Sequence, residues 1–129
     1  MNKIISQIRK ELKASCDPVY KQGEIRFFRE KIKTYGVRST VSKEICKRYF
    51  DKIKKLEKRE IFVLCEELMK SGYIQEVGCA SKWAFRLNKR YEEKDFKIFE
   101  NWVKKYITNW ANCDDFSTHT IGSFIYQFQ

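Results

Sequence analysis

A tryptophan and an aspartate four residues apart, Trp110 and Asp114, are the side chains of this sequence best suited to chemistry. Apolar residues recur at helical spacing up to the tryptophan and so share one helix face: Phe99, Val103, Ile107 and Trp110. Asp114 follows this helix, where a carboxylate accepts hydrogen bonds from the free N–H groups of a following helix. An indole attracts cations and a carboxylate stabilises positive charge, so the pair suits a cationic group. The structural alternative is a core tryptophan beside a helix cap.

The helices that must position this pair can be predicted from apolar spacing and turn residues. Residues 93–109 form the helix before the junction, and the next helix begins at about Asp115, which we expect to be its cap. Earlier helices are predicted over residues 3–15, 18–34, from a cap at Ser39 onward, 58–70 and 75–89. Gly36 is expected to end the second helix. Three apolar residues of that helix are expected to face inward: Phe27, Phe28 and Ile32.

An internal repeat indicates how these helices are arranged. Residues of the fourth helix align with residues of the sixth at an offset of about 35: Glu60, Ile61, Val63, Leu64 and Leu68 with Asp95, Phe96, Ile98, Phe99 and Val103. Helix pairs that repeat at this length stack into an α-solenoid, because a single pair cannot bury its own apolar face. The low content of proline and glycine also favours helices over a many-stranded β fold. We therefore predict an all-α, HEAT-like helical-repeat α-solenoid that forms a single domain over residues 1–129.

The net charge of +10 favours a polyanionic partner, most simply nucleic acid. A membrane surface is a weaker alternative, because the apolar positions are spread over helices that need each other for burial. Arg38 at a predicted turn, and Lys82 and Arg86 one helical turn apart, are the best candidates for phosphate contacts. The alternative for each of these cations is an ordinary solvated position, and the sequence does not decide which face they occupy.

The five cysteines are interpreted as free thiols. They are odd in number, widely spaced and without a CxxC pair, which argues against a disulfide framework or a zinc site: Cys16, Cys46, Cys65, Cys79 and Cys113. The N-terminal helix lacks the apolar core of a signal peptide, and no run is long and apolar enough to span a bilayer. A cytoplasmic protein without a metal or other cofactor is therefore expected.

Four motifs in order give the sequence a resemblance to a known family. The central motif is NWANCD followed by STHTIG, over residues 109–114 and 117–122. The upstream motifs are GEIRFFREKIKTYGVRSTVSKEICKRYF over 23–50, EIFVLCEELMKSGYIQEVGCASKWAFRL over 60–87 and DFKIFENWVKKYITNW over 95–110. Together they resemble the N-terminal portion of the AlkD-like DNA alkylation-repair glycosylases, a helical-repeat family. The resemblance covers nearly the whole chain after Cys16.

The resemblance implies a DNA glycosylase that hydrolyses the N-glycosidic bond of cationic alkylated purines, of the 3-methyladenine or 7-methylguanine type. Asp114 matches the family's catalytic aspartate and would stabilise the sugar cation and orient water. Trp110 matches an aromatic contact to the sugar. His119 would hydrogen-bond the aspartate or a phosphate; alternatively, it only packs locally. The expected partner is double-stranded DNA that contains alkylated bases.

The sequence departs from the family pattern in two places. Thr40 stands where the family has proline, which affects stability more than chemistry. The chain stops at Gln129, so the solenoid is expected to be truncated at the C-terminus and to lack the later repeats. We therefore expect little activity from this chain alone, and either self-association through the apolar C-terminal helix or a frayed, mobile C-terminus. Two alternatives stay open: a noncatalytic helical-repeat DNA-binding protein, and a protein-interaction scaffold.

Overall fold

The computed structural model describes residues 3–28, 31–106 and 122–128, apart from the side chains of residues 123 and 124. These ranges contain seven α-helices: α1 (Lys3–Ala14), α2 (Pro18–Phe27), α3 (Ser39–Ile53), α4 (Lys58–Lys70), α5 (Ile74–Arg86), α6 (Asp95–Lys105) and α7 (Gly122–Gln127). A 3₁₀ turn, Asn88–Arg90, takes the place of the predicted last turn of α5. The same ranges contain no strand, and their β-bridge joins Lys33 to Tyr73. None of the described helices combines the length and the apolar character that crossing a bilayer requires.

Five of the described helices stack in two layers, one of α1, α4 and α6 and the other of α3 and α5. Neighbouring helices pack within and between these layers, in the pairs α1–α3, α1–α4, α3–α5 and α4–α5. Aromatic rings join α6 to its layer, because the ring centroid of Phe62 lies 5.7 Å from that of Phe99 and 5.5 Å from that of Trp102. The predicted all-α helical-repeat fold is confirmed.

α5 packs against α4 of the other layer and against α3 of its own layer. Ala80 and Ala84 are fully buried, and their small side chains let α4 approach so closely that the Cys65 thiol donates to the Ala80 carbonyl at 3.6 Å. Trp83 is also fully buried, and its indole N–H donates to the carbonyl oxygen of Cys46 on α3 at 2.9 Å. Because a buried N–H group needs a partner, this bond fixes how α3 lies against α5.

Both helices of the predicted repeat, α4 and α6, are present, but the residues that the repeat aligns are not all buried to the same extent. Leu64 and Phe99, which the repeat aligns, are both buried. Ile61 is fully buried, however, whereas the aligned Phe96 is 41% exposed. The reason is that α4 is covered by α1 and α5 as well as by α6, so it buries a wider face than α6 does.

α2 ends earlier than the sequence predicts. The helix stops at Phe27 instead of continuing to residue 34, and Phe27 is 68% exposed instead of facing inward. The other two apolar residues expected inside are half-buried: Phe28 and Ile32. The reason is tertiary, because the carbonyl of Lys33 accepts a hydrogen bond from the N–H of Ile74 at 3.0 Å and its Nζ donates to the carbonyl of Ser71 at 2.6 Å. Lys33 reaches the Ile74 N–H and the Ser71 carbonyl because the chain is extended there, and it would not reach them if α2 continued.

Gly36 lies in a buried turn rather than at the end of α2. Its φ is +70°, and a Cβ at this position would lie 2.4 Å from the Cβ of Lys21, so only glycine fits. The Gly36 carbonyl accepts a hydrogen bond from the N–H of Asp17 at 2.8 Å, which holds the turn against the start of α2. α3 then begins at Ser39 with Arg38 as its N-cap, so Ser39 is not the cap that the sequence predicts.

A buried polar network connects this turn to α1 and α5. The fully buried carboxylate of Glu76 accepts hydrogen bonds from Arg9 Nε at 3.0 Å and from the hydroxyl of Tyr35. Gln75 accepts from the backbone N–H of Tyr35 at 3.0 Å and donates to the hydroxyl of Thr34 at 2.8 Å. Burial, followed by the hydrogen bond to Glu76, raises the pKa of Tyr35 above its ordinary value. Because a buried carboxylate is costly without such partners, the network fixes where the turn lies.

α7 exposes apolar side chains. Tyr126 is 83% exposed, and Ile125 and Phe128 are exposed as well. The side-chain amide of Gln127 donates to the carbonyl of Asn88 at 2.7 Å, which joins α7 to the 3₁₀ turn. Exposed apolar surface of this kind is compatible with self-association, which stays a prediction for this helix.

An ion pair between α1 and α3 makes stability depend on pH. The guanidinium of Arg48 donates to both carboxylate oxygens of Glu11, at 2.8 and 2.9 Å, and the hydroxyl of Tyr49 also donates to Glu11. These hydrogen bonds, that of Arg48 above all, lower the pKa of Glu11 from 4.5 to about 2. The ionised carboxylate therefore stabilises the fold fully above the unfolded value of 4.5, and this contribution is lost as the pH falls toward 2.

We expect Glu11→Gln to lower the free energy of unfolding at about pH 6 and to reduce the loss of stability between about pH 6 and pH 3. Urea unfolding at the two pH values measures both effects. Glu44→Gln is the control, because Glu44 also contacts Arg48, at 3.4 Å, but is largely exposed and should change stability less. The same pH dependence in wild type and Glu11→Gln would contradict the role given to this ion pair.

Substitution of Phe99 tests whether the apolar face of α6 holds this helix against the rest of the fold. Its ring is fully buried against the rings of Phe62, Tyr91 and Trp102. Phe99→Ala leaves a cavity and should lower the free energy of unfolding by about 3–5 kcal/mol. Phe96→Ala removes the same ring from the more exposed side of α6 and should cost less than about 1 kcal/mol. Chemical denaturation compares the two variants, and similar losses would show that α6 does not dock as described.

Candidate nucleic-acid interface

The candidate site residues fall into two sets. One set lies outside the described residues: Trp110, Asp114, Asp115 and His119. The other set has described positions, at the N-cap of α3 and on α5: Arg38, Lys82 and Arg86. The structure therefore describes the candidate DNA-binding cations of the site but not its candidate catalytic residues.

A groove between α3 and α5 brings Lys82 and Arg86 together with a third cation, Lys43. It consists of two adjoining cavities, of about 310 and 620 Å³, which share Lys43 and Lys82 in their linings. The smaller cavity opens toward α2 and the start of α3, where Ser39 and Glu24 line it. The larger one continues along α5 to Arg86. We call these two cavities the α3–α5 groove.

α5 exposes these cations on one edge while its other faces are buried. Lys82 and Arg86 are four residues apart, so they lie one above the other along the helix. The guanidinium carbon of Arg86 lies 5.6 Å from the ring centroid of Phe50, which draws the arginine toward α3. Ala80 and Ala84, on the same helix, face the core. The cations therefore stand on a rigid part of the fold.

Lys43 is a groove residue that the sequence interpretation did not single out. It is exposed on α3, one turn after Ser39, and lines both cavities. In the sequence it belongs to a basic stretch with Lys47 and Arg48, and no local signal distinguishes the three. Only the packing shows that Lys43 faces the groove, whereas Arg48 turns to Glu11 on α1.

Arg38 does not line the groove. Its Nε donates to Asp17 at 3.2 Å, and its guanidinium lies 5.4 Å from the ring centroid of Tyr20. A hydrogen bond from the backbone N–H of Tyr20, followed by the Arg38 guanidinium, holds the pKa of Asp17 below its ordinary value. Arg38 therefore joins the start of α2 to the start of α3, and its predicted phosphate contact stays a prediction.

Among the described residues, the lining of the α3–α5 groove contains more cations than carboxylates. Outside the groove, ion pairs join Arg9 to Glu76, Arg48 to Glu11, and Lys58 to Glu92 and Asp95. The groove lining carries Lys43, Lys82 and Arg86 against the carboxylate of Glu24, which accepts a hydrogen bond from the hydroxyl of Thr34 at 2.6 Å. A positive groove of this kind attracts phosphates.

Comparison with known proteins assigns the family. A family model described as DNA alkylation repair enzyme matches residues 8–129. The chain belongs to this family. No curated protein and no solved structure matches the chain significantly. Membership in the DNA alkylation repair family implies DNA as a partner, and the α3–α5 groove offers cations of the kind that contact its phosphates.

The groove predicts which cations matter for DNA binding. We expect Lys82→Gln combined with Arg86→Gln to weaken binding to duplex DNA and to reduce the slope of log affinity against log salt by about two, because each lost phosphate contact removes about 0.9. Lys10→Gln combined with Lys13→Gln is the matched control, since both lysines are exposed on α1 in the other layer. Titrations at several salt concentrations measure both changes. Equal losses in the two double variants would show that only overall charge matters.

Proposed function

We propose that this member of the DNA alkylation repair family is a DNA glycosylase that hydrolyses the N-glycosidic bond of cationic alkylated purines, of the 3-methyladenine or 7-methylguanine type. The observation that carries the proposal is the family match, which extends through the segment with Trp110 and Asp114. That segment combines an indole and a carboxylate four residues apart. The net charge of +10 and the α3–α5 groove support a DNA substrate.

The proposed chemistry is the stabilisation of a sugar cation. Alkylation of a ring nitrogen makes the purine cationic and therefore a good leaving group. As its bond to the sugar breaks, positive charge develops on the sugar, and the carboxylate of Asp114 stabilises that charge and orients the attacking water. The indole of Trp110 contacts the sugar by cation–π and dispersion interactions. Water is the second reactant, and we propose no metal or other cofactor.

In this proposal the basic residues hold the DNA backbone. Lys43, Lys82 and Arg86 contact phosphates from the α3–α5 groove, and Arg38 contacts a phosphate beyond the end of the groove. His119 hydrogen-bonds Asp114 or a phosphate. Contacts of this type give affinity without sequence preference, which suits a protein that searches for lesions. We propose that all these residues belong to one helical-repeat domain over residues 1–129.

A noncatalytic DNA-binding protein is the second candidate, and the groove favours it as much as it favours the enzyme. Cations that line a groove explain binding to DNA, but they do not explain excision. A scaffold that binds another protein is a third candidate, for which an excess of ten positive charges is less expected. Release of a methylated base separates the first candidate from the other two, and salt-dependent binding to DNA separates the second from the third.

We expect Asp114→Asn to slow the release of methylated purine from alkylated duplex DNA by about 100- to 1,000-fold, because the charge that stabilises the sugar cation is lost. DNA affinity and thermal stability should change little, since asparagine still caps a helix. Chromatography of released bases under single-turnover conditions measures the rate, and Asp115→Asn is the matched control. Because little activity is expected from this chain alone, the protein is in large excess over the DNA; a wild-type chain that binds DNA but releases no base under these conditions would favour the noncatalytic candidate. Equal rates in wild type and Asp114→Asn would move the catalytic role to another residue.

A further inference from the structure

Two cysteines from distant parts of the chain meet beneath the α3–α5 groove. The Sγ of Cys46 on α3 lies 3.6 Å from the carbonyl oxygen of Cys79 on α5. Both cysteines line the smaller cavity of the groove, although they are only 3% and 5% exposed. The indole N–H of Trp83 donates to the carbonyl of Cys46 at 2.9 Å, and this hydrogen bond joins α5 to α3 beside the two cysteines. The Cys46 sulfur is therefore held against the backbone of Cys79, beside a cavity that both cysteines line.

The two thiols differ in acidity. A hydrogen bond from the Cys79 thiol, supported by the positive charges of Lys82 and Arg86, lowers the pKa of Cys46 below its ordinary value. Burial raises the pKa of Cys79 well above its ordinary value. One sulfur of the pair is thus the better thiolate, and its neighbour stays protonated. A nucleophilic cysteine beside a second, protonated cysteine is the arrangement that thiol–disulfide exchange requires.

A third buried cysteine differs in its position and in its acidity. Cys65 on α4 is fully buried, its thiol donates to the carbonyl of Ala80, and burial raises its pKa well above the ordinary value. It does not line either cavity of the groove. Cys16, in contrast, is exposed and also lies outside the groove linings. The chain therefore contains its own reference thiols, one buried and one exposed.

We propose that Cys46 and Cys79 form a modification site for small disulfides, at which Cys46 is the attacking sulfur and Cys79 the resolving one. The product is an intramolecular disulfide that joins α3 to α5. The proposal concerns thiol chemistry and does not depend on glycosylase activity.

The reaction balances with one equivalent of a small disulfide, R–S–S–R, as the oxidant. The Cys46 thiolate attacks one sulfur of R–S–S–R, forms a mixed disulfide and expels RS⁻. Cys79 then gives up its proton, its thiolate attacks the Cys46 sulfur, and the second RS⁻ leaves. Two protein thiols are oxidised to one disulfide, while R–S–S–R is reduced to two R–SH that carry the two protons.

The new bond would affect the groove directly. Lys43 stands three residues before Cys46 on α3, and Lys82 stands three residues after Cys79 on α5. Each cation is thus about one helical turn from the cysteine of its own helix. The disulfide would therefore fix the separation of the two cationic edges of the groove.

The test uses the full reduced chain and 2-hydroxyethyl disulfide, an uncharged probe whose local concentration the groove cations do not raise. Peptide mapping under nonreducing conditions should find Cys46 linked to Cys79, with Cys65 still reduced. Cys79→Ser should stop at a mixed disulfide on Cys46, whereas Cys46→Ser should leave Cys79 unmodified. Lys82→Gln combined with Arg86→Gln should slow the reaction of Cys46 several-fold, because fewer of its sulfurs are ionised.

Three results would overturn the proposal. The first is that Cys46 and Cys79 stay reduced in the folded wild-type chain while Cys16 reacts. The second is that either cysteine links to Cys65 or Cys113 instead of to its neighbour. The third is that Cys46 and Cys79 become linked only in denaturant. Each of these results is measured on the wild-type chain, so the proposal can be refuted even if a serine variant fails to fold. Circular dichroism shows whether each variant is folded.

Discussion

The burial of α5 is the constraint on which the rest of the structure depends. A helix can bury apolar residues on two sides only if other helices cover both. On one side, Ala80 and Ala84 are small enough for α4 to approach closely, and on the other side Trp83 fills the space toward α3. The indole N–H is buried there, needs an acceptor and donates to the carbonyl of Cys46. The positions of α3 and α4 therefore follow from how α5 is covered.

A second constraint is electrostatic and organises the N-terminal end of the fold. Glu76 lies in the first turn of α5, where a carboxylate suits the helix dipole, yet it is fully buried. Such a charge is stable only with partners, which are Arg9 from α1 and Tyr35 from the turn before α3. Because Tyr35 is held there, the chain passes from α2 to α3 through a tight buried turn at Gly36. One carboxylate thus positions three separate parts of the chain.

The sequence by itself determined most of the helices and their arrangement as repeats. Apolar residues at helical spacing specify α1, α3, α4, α5 and α6, because a stripe on one face is a local property of the sequence. The same periodicity placed Lys82 and Arg86 on one edge of α5, and the motifs of the chain indicated the DNA alkylation repair family. The pair Trp110 and Asp114 was proposed from residue type and spacing, and its catalytic role stays a prediction.

Only the tertiary structure decided which distant residues face each other. α2 ends at Phe27 because Lys33 pairs with groups next to α5, and no local pattern encodes that pairing. Packing also decided that Lys43 joins the groove whereas Arg38 turns to Asp17, although the sequence had favoured Arg38. The cysteines looked like scattered free thiols in the sequence, and the contact of α3 with α5 brought two of them together. In each case the deciding contact joins residues far apart in the chain, whereas spacing along a sequence reports only on neighbours within one helix.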